Sequence, residues 1–199
     1  MSFRKERKYR LSFSEKELLK QLLLARGMSR LHPSRQVNSC YFDTNDYTLF
    51  HESEEGVLPR KKVRLRWYDA ETKLSKETKF SSIEGRFKVV SSHMKFNAKI
   101  NKFDVNFYDG MYGILNPVLI VSYQREYFML DQLRITFDSK IEYTDLHSIG
   151  RQKYFDHECV MEIKTPINIS NDYIEKIVQY PTSRFSKYSR GILMTDRLL

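Results

Sequence analysis

The stretch KKVRLRWY, residues 61–68, sets a cation at every second position and fills the places between with Val63, Leu65 and Trp67. A period of two is that of a β-strand, in which successive side chains point to opposite faces. One face then carries Lys62, Arg64 and Arg66, and the other Val63, Leu65 and Trp67. Such a strand must lay one side on a core and turn the other toward water or a ligand. Other segments repeat this division. Glu6 and Lys8 share a face in RKERKYRLSF, Glu77 and Lys79 in SKETKF, and Glu162 and Lys164 in CVMEIKT, opposite Met161 and Ile163. Arg125 shares a face with Tyr123 and Tyr127, and Arg134, Thr136 and Asp138 oppose Leu133, Ile135 and Phe137.

About eight segments read as strands: RKERKYRLSF, VNSCYFDT, KKVRLRWYD, SKETKF, GRFKVVSSH, PVLIVSYQREYFML, LRITFDSKIEYT and HECVMEIKT. Helices are few. SEKELLKQLLLARG reads as one, with Ser14 and Glu17 as a capping box, Leu18, Leu22 and Leu23 as its apolar stripe, and Gly27 at its C-terminal cap. A second spans Asn171 to Gln179 before Pro181, and a third starts near Ser183, with Gly191 counting against it. No linker or repeat divides residues 1–199, which read as a single α+β domain. Two arrangements satisfy the faces. One is an open antiparallel sheet whose ionic side is solvated. The other is a closed eight-stranded antiparallel β-barrel with flanking helices, whose lumen takes the alternate charged residues.

The charge balance narrows the partners. Lys and Arg number 34 against 25 Asp and Glu, a net +9, which favours a polyanion: nucleic acid, a phosphorylated small molecule or an anionic membrane surface. Aromatics at 14% rule out a disordered basic tail. Cys40 and Cys159 are too few for a disulfide scaffold and read as buried free thiols of an intracellular protein. No apolar run approaches the roughly 20 residues of a membrane span, and the start MSFRKERKYRL lacks the apolar core of a signal peptide. The expected location is cytoplasmic, with docking at a membrane left open. His32, His51, His93, His147 and His157 have no metal or triad spacing, and no Walker-type loop occurs. Tyr41, Phe42 and Trp67 are expected to pack rather than to bind bases.

RLRWY at 64–68, preceded by CYFDTNDYTLF at 40–50 and followed in order by ETKFSSIEGRFK, SYQREYF, LRITFD, CVMEIKT and SRFSKYSRG, resembles the VTC domain, the polyphosphate polymerase of the vacuolar transporter chaperone complex. That domain is one of the triphosphate tunnel metalloenzymes, with the thiamine triphosphatases, class IV adenylate cyclases and fungal RNA triphosphatases. The resemblance runs from Glu6 to Gly191 and implies an eight-stranded tunnel. It also implies an ATP-dependent enzyme that moves the γ-phosphate of ATP onto inorganic polyphosphate with Mn²⁺ or Mg²⁺. By the same resemblance, Lys8, Arg64, Arg66, Lys79, Arg125 and Arg134 are the catalytic cations. Lys88, Arg184, Ser186 and Lys187 bind phosphate, and Glu162 with Glu6 binds the metal. The preference of Mg²⁺ or Mn²⁺ for one or two carboxylates plus phosphate oxygens adds Glu77 and Asp138 as candidate helpers. A membrane-protein partner is a further implication, whereas nucleic acid is not expected, since no RNP box is present.

The pattern departs from the family in three places. Arg4 stands where the superfamily has the first of two glutamates, Arg184 replaces a lysine, and Lys88-Val89-Val90 lacks the second cation of a Lys-x-Arg pair. The chemistry still asks for these residue types. Phosphoryl transfer needs positioned positive charge and in-line geometry more than covalent help, and the planar fork of Arg binds phosphate bidentately. A triphosphatase in the same tunnel, or a non-catalytic polyphosphate binder, would need the same cations.

Overall fold

The structure is a computed structural model that describes residues 4–71, 73–83, 85–95 and 105–195. In chain order it runs β1 (Arg4–Leu11), α1 (Phe13–Ala25), β2 (Ser29–Asp43), α2 (Thr48–Glu55), β3 (Arg60–Tyr68), β4 (Lys73–Ser82) and β5 (Gly85–Lys95). It continues with β6 (Phe107–Asp109), β7 (Gly113–Leu130), β8 (Leu133–Asp145), β9 (Lys153–Phe155), β10 (Cys159–Pro166), α3 (Asn171–Ile177) and α4 (Lys187–Met194). The strands pair in the order β1-β10-β8-β7-β2-β3-β4-β5, with β6 on β7 and β9 on β8. The ladders whose register is defined are antiparallel. Where the sequence leads one to expect a closed circuit of eight, the pairings among the described residues form an open path of eight.

The chain separates into two compact units. The first comprises residues 1–36, 123–141 and 155–185. Its core is made by the apolar sides of β1, β8 and β10, with Tyr9, Leu11, Leu133, Ile135, Phe137, Met161 and Ile163 packed under Leu19 and Leu23 of α1 and Ile174 of α3. The second comprises 37–122, 142–154 and 186–199. There Cys40 and Phe42 of β2 meet Val63, Leu65 and Trp67 of β3, Leu49 of α2 and Leu115 of β7. The alternation read in KKVRLRWY is therefore the division between core and opposite face.

The first helix departs from its expected phase. Its N-cap is Ser12, not Ser14: the Glu15 amide donates to Ser12 Oγ (3.2 Å), and the Ser12 amide donates to Glu15 Oε2 (2.7 Å). Its buried residues are Lys16, Leu19 and Leu23, while Leu18 and Leu22 are 58% and 52% exposed. Both serines satisfy a capping-box pattern, and α1 starts at the one directly after β1. The buried lysine is tolerated because its ammonium meets Glu17 at 2.7 Å and Glu126 at 3.6 Å. Gly27, past the Arg26 cap, takes φ 95°, the left-handed backbone that glycine adopts without strain.

Gly191 lies inside α4, which begins at Lys187 rather than Ser183. A Cβ there would meet Leu119 Cδ2 at 2.5 Å and Tyr143 Cδ1 at 2.6 Å. The glycine that argues against a helix is what lets the helix approach β7 and β8 closely. Helix propensity alone makes Gly191→Ala stabilising by about 0.8–1 kcal/mol. The contact predicts the opposite sign, a loss of about 1–3 kcal/mol. Thermal or denaturant unfolding distinguishes the two, and a gain in stability would mean that Leu119 and Tyr143 move aside freely.

Candidate functional site

In the second unit the polar face of β3 is built by register. Lys62 lies opposite Lys79 of β4, and Lys79 opposite Lys88 of β5, so three lysines form one row across three strands. In the next row Arg64 stands opposite Glu77 and Tyr41 of β2, and beyond it Arg66 stands opposite Ser39. Glu77 is the hub. Its Oε2 accepts from Arg64 Nε (2.7 Å) and pairs with Arg64 Nη2 (2.6 Å) and Arg66 Nη1 (3.6 Å), while its Oε1 accepts from Lys88 Nζ (2.5 Å). Burial works to raise this carboxyl, but Arg64, Arg66 and Lys88 outweigh burial and bring it down to about 2.

Both arginines of the hub have a second anchor, and Lys62 beside them has one of its own. Arg66 Nε donates to Ser39 Oγ (3.1 Å), Arg64 Nη1 to Tyr41 Oη (2.9 Å) and Lys62 Nζ to Ser186 Oγ (2.8 Å). Ser186 is the N-cap of α4, its Oγ also accepting from the Ser189 amide at 3.3 Å, and Lys187 is the first residue of that helix. Tyr188 stacks on Tyr41, with ring centroids 4.9 Å apart and planes 16° apart, and donates its hydroxyl to Asp43. Asp43 in turn accepts from the Leu49 and Phe50 amides of α2, at 2.8 and 2.9 Å. Phe42 and Trp67 are core residues as expected, but Tyr41 is not mere packing, since its hydroxyl lies on the cationic face. Lys62 and Tyr41 were absent from the predicted site; the alternation that singled out Arg64 and Arg66 already placed Lys62 beside them.

The first unit carries a different set. Lys8 faces Glu162 and Glu6 faces Lys164 across the β1–β10 ladder, while Glu162 faces Thr136 and Lys164 faces Arg134 across β10–β8. Lys164 Nζ pairs with Glu162 Oε1 at 2.7 Å and Glu6 Oε2 at 3.9 Å, and Lys8 Nζ with Glu6 Oε1 at 3.3 Å. Lys8 also donates to the Phe185 carbonyl (2.9 Å), and Arg184, next to it, is exposed. Arg125 grips Asp138 with two bonds, Nε to Oδ1 (2.6 Å) and Nη2 to Oδ2 (2.7 Å). The Arg134 Nε is buried and has no acceptor among the described residues. A buried N–H in that condition calls for a hydrogen-bond acceptor, a role that an anion's oxygen fills as well as water.

The donor set for a divalent cation can be tested on Glu6 and Glu162. Both carboxylates converge on one ammonium, that of Lys164, so a positive charge is already accommodated where they meet. Burial works to raise the Glu162 carboxyl and Glu6 adds to this, but Lys164, Arg125 and Lys8 keep it below the ordinary range, and it is an oxygen donor at neutral pH. No group of three or more His, Cys, Asp or Glu side chains arranged for a metal occurs among the described residues. Two carboxylates, with phosphate oxygens completing the shell, fit Mg²⁺ or Mn²⁺. Glu77 and Asp138 are held closely at both oxygens, by Arg64 and Lys88 at 2.7 and 2.5 Å and by Arg125 at 2.6 and 2.7 Å, whereas Glu6 meets Lys8 and Lys164 only at 3.3 and 3.9 Å.

The family model of the VTC domain matches residues 3–113 and 111–195, nearly the whole chain. The chain belongs to the VTC domain family. Solved structures agree on the fold. A Pyrococcus horikoshii protein superposes with a TM-score of 0.59 at 12% identity, over 94% of this chain and 98% of its own. An adenylate cyclase candidate from Vibrio parahaemolyticus gives 0.55 at 14% identity, over 96% and 98%. A Hippeastrum adenylyl cyclase candidate, described as having a dominant triphosphatase activity, gives 0.52 at 16% identity, over 98% and 96%. No curated protein matches this VTC chain in sequence. No helix among its described residues is long and apolar enough to cross a membrane.

The Glu77 hub gives this VTC domain a defined response to acid. The carboxyl is depressed in the folded state, to about 2. Its contribution to stability is therefore full above the ordinary glutamate value of about 4.3 and lost as pH falls from there toward about 2. Glu77→Gln should lower stability at neutral pH and flatten stability against pH in that acid window. Denaturant unfolding at a series of pH values measures both, and an unchanged slope would mean that Glu77 is not the linked group.

Proposed function

We propose that the chain is a metal-dependent phosphotransferase acting on chains of phosphate, in its finer form an ATP-dependent polyphosphate polymerase. The row Lys62–Lys79–Lys88 carries this reading. Like charges directly opposite one another destabilise a sheet, and a ligand with regularly repeated negative charge relieves such a row. An ordinary solvated face gains nothing from placing three lysines in register. Arg134, with its unanswered Nε, supports the same class of ligand from the first unit. Membership of the VTC family supports the finer choices: ATP as donor, inorganic polyphosphate as acceptor, a closed eight-stranded tunnel as the place of reaction, and residues 1–199 acting as a single domain.

In this reading Lys8, Arg64, Arg66, Lys79, Arg125 and Arg134 hold the reacting phosphates. Lys88, Arg184, Ser186 and Lys187 hold those further along, and Lys62 joins them. An oxygen of the chain's terminal phosphate bonds to the γ-phosphorus as the bond from that phosphorus to its bridging oxygen breaks, and ADP leaves with the electron pair. Arg and Lys side chains fix the oxygens in line and balance their charge. Glu162 and Glu6 would hold Mn²⁺ or Mg²⁺, which supplies polarisation of the transferring phosphoryl group. Replacing the acceptor by water turns the same arrangement into a triphosphatase, the activity described for the Hippeastrum relative. A gel of the products from ATP and Mn²⁺ decides between them: a polyphosphate ladder for the polymerase, free phosphate for the hydrolase, and neither for a binding module.

Glu162 separates catalysis from capture. An acid among cations repels the phosphate beside it, so a pure binding site would do better without one. A divalent ion between acid and phosphate reverses that sign. Glu162→Gln should abolish Mn²⁺-dependent turnover while tripolyphosphate binding in EDTA, followed by calorimetry, is kept or strengthened. Full activity in the variant would remove the metal role, and a parallel loss of metal-free binding would make Glu162 a structural residue.

A further inference from the structure

Tyr41 is 7% exposed, yet its hydroxyl is turned into the cationic face of the second unit rather than into the core. It stands opposite Arg64 across the β2–β3 ladder and accepts from Arg64 Nη1 at 2.9 Å. The ring cannot swing away, because Tyr188 of α4 stacks on it and is itself tied to Asp43. Arg64 is thus held by two oxygens of different kinds, the permanent carboxylate of Glu77 and a phenol whose charge depends on its proton.

We propose that Tyr41 is a positioning residue for Arg64 whose hydroxyl gains or loses a proton as the phosphate chain binds or leaves. The proposal rests on the reading of this face as a phosphate-chain site and adds to it a coupled proton. When the phenol ionises, its proton goes to solvent and the phenolate takes up part of the positive charge that Arg64 offers. When phosphate arrives, it competes for that charge, and the phenolate recovers a proton from solvent. The surroundings fit this exchange. Burial works to raise the phenol, but Arg64, Arg66 and Lys62 outweigh it and bring it down to about 8. Glu77, with Lys88 behind it, lies on the far side of Arg64, while Asp43 lies beyond Tyr188. Tyr9, Tyr112, Tyr173 and Tyr188 are all displaced upward, so none of them competes for an early ionisation, and Tyr41→Phe identifies its source.

The test follows tyrosinate absorbance against pH in the full chain, free and with saturating tripolyphosphate, alongside Tyr41→Phe. The free protein should show a tyrosine ionising near about pH 8 that the variant lacks, and tripolyphosphate should move that step upward. Linkage then makes tripolyphosphate bind about tenfold more weakly at pH 9 than at pH 7, beyond any change seen in Tyr41→Phe. A residue that merely packs would leave both readouts unmoved. The proposal is overturned if the early step survives in Tyr41→Phe, or if tripolyphosphate binds without shifting it. Failure of the unaltered protein to bind tripolyphosphate, with the early step intact, would instead overturn the functional reading and the coupling with it.

Discussion

One buried carboxylate, Glu77 of β4, holds together cations from the two strands that flank its own. Arg64 and Arg66 of β3 and Lys88 of β5 all reach its two oxygens from positions that would otherwise repel one another. A single acid is enough because it is buried and surrounded, so its charge is permanent over the range in which proteins work. It is also too little to cancel them. Three lysines and two arginines share this face with one glutamate, and in the proposed function a chain of phosphates balances the difference. A face neutralised completely would be stable and inert.

The first unit balances its charges differently. Asp138 is matched one-to-one with Arg125 in a two-bond pair, an arrangement that fixes geometry and leaves little charge over. Glu6 and Glu162 are matched loosely, sharing Lys164 and Lys8 over 2.7 to 3.9 Å. Tight pairs place side chains, and loose ones can exchange partners. Acids of both kinds lie on strands with the same alternation, which explains why Glu6, Asp138 and Glu162 looked alike as candidate ligands in the sequence.

What could be read in the sequence was what depends on a period of two. The facing of Val63, Leu65 and Trp67 toward a core, and of Lys62, Arg64 and Arg66 away from it, follows from backbone geometry alone. The register between strands does not. That Lys62 meets Lys79, or that Tyr41 meets Arg64, is set by how β3 aligns with its two neighbours, which alternation along one strand leaves open. Helix phase was legible only in part: Ser12 rather than Ser14 caps α1, and of Leu18, Leu22 and Leu23 it is Leu23 that is buried. α2 was missed because its N-cap Tyr47 has a left-handed backbone and no side-chain cap bond. Its anchor is Asp43, a residue that reads as the end of a strand.

Gly191 carries a mechanical meaning besides a steric one. A helix normally rides on a cushion of side chains, whose rotamers let it slide or roll by an ångström or so at small expense. α4 has no cushion at Gly191, where its backbone comes up against Leu119 and Tyr143. It behaves there like a shaft resting on a hard stop, so its height above β7 and β8 is indexed rather than averaged. Ser186 at the start of this short helix takes its own height from that stop, and Lys62 meets the serine oxygen at 2.8 Å. A missing side chain in the middle of α4 is thereby a positional tolerance at its start.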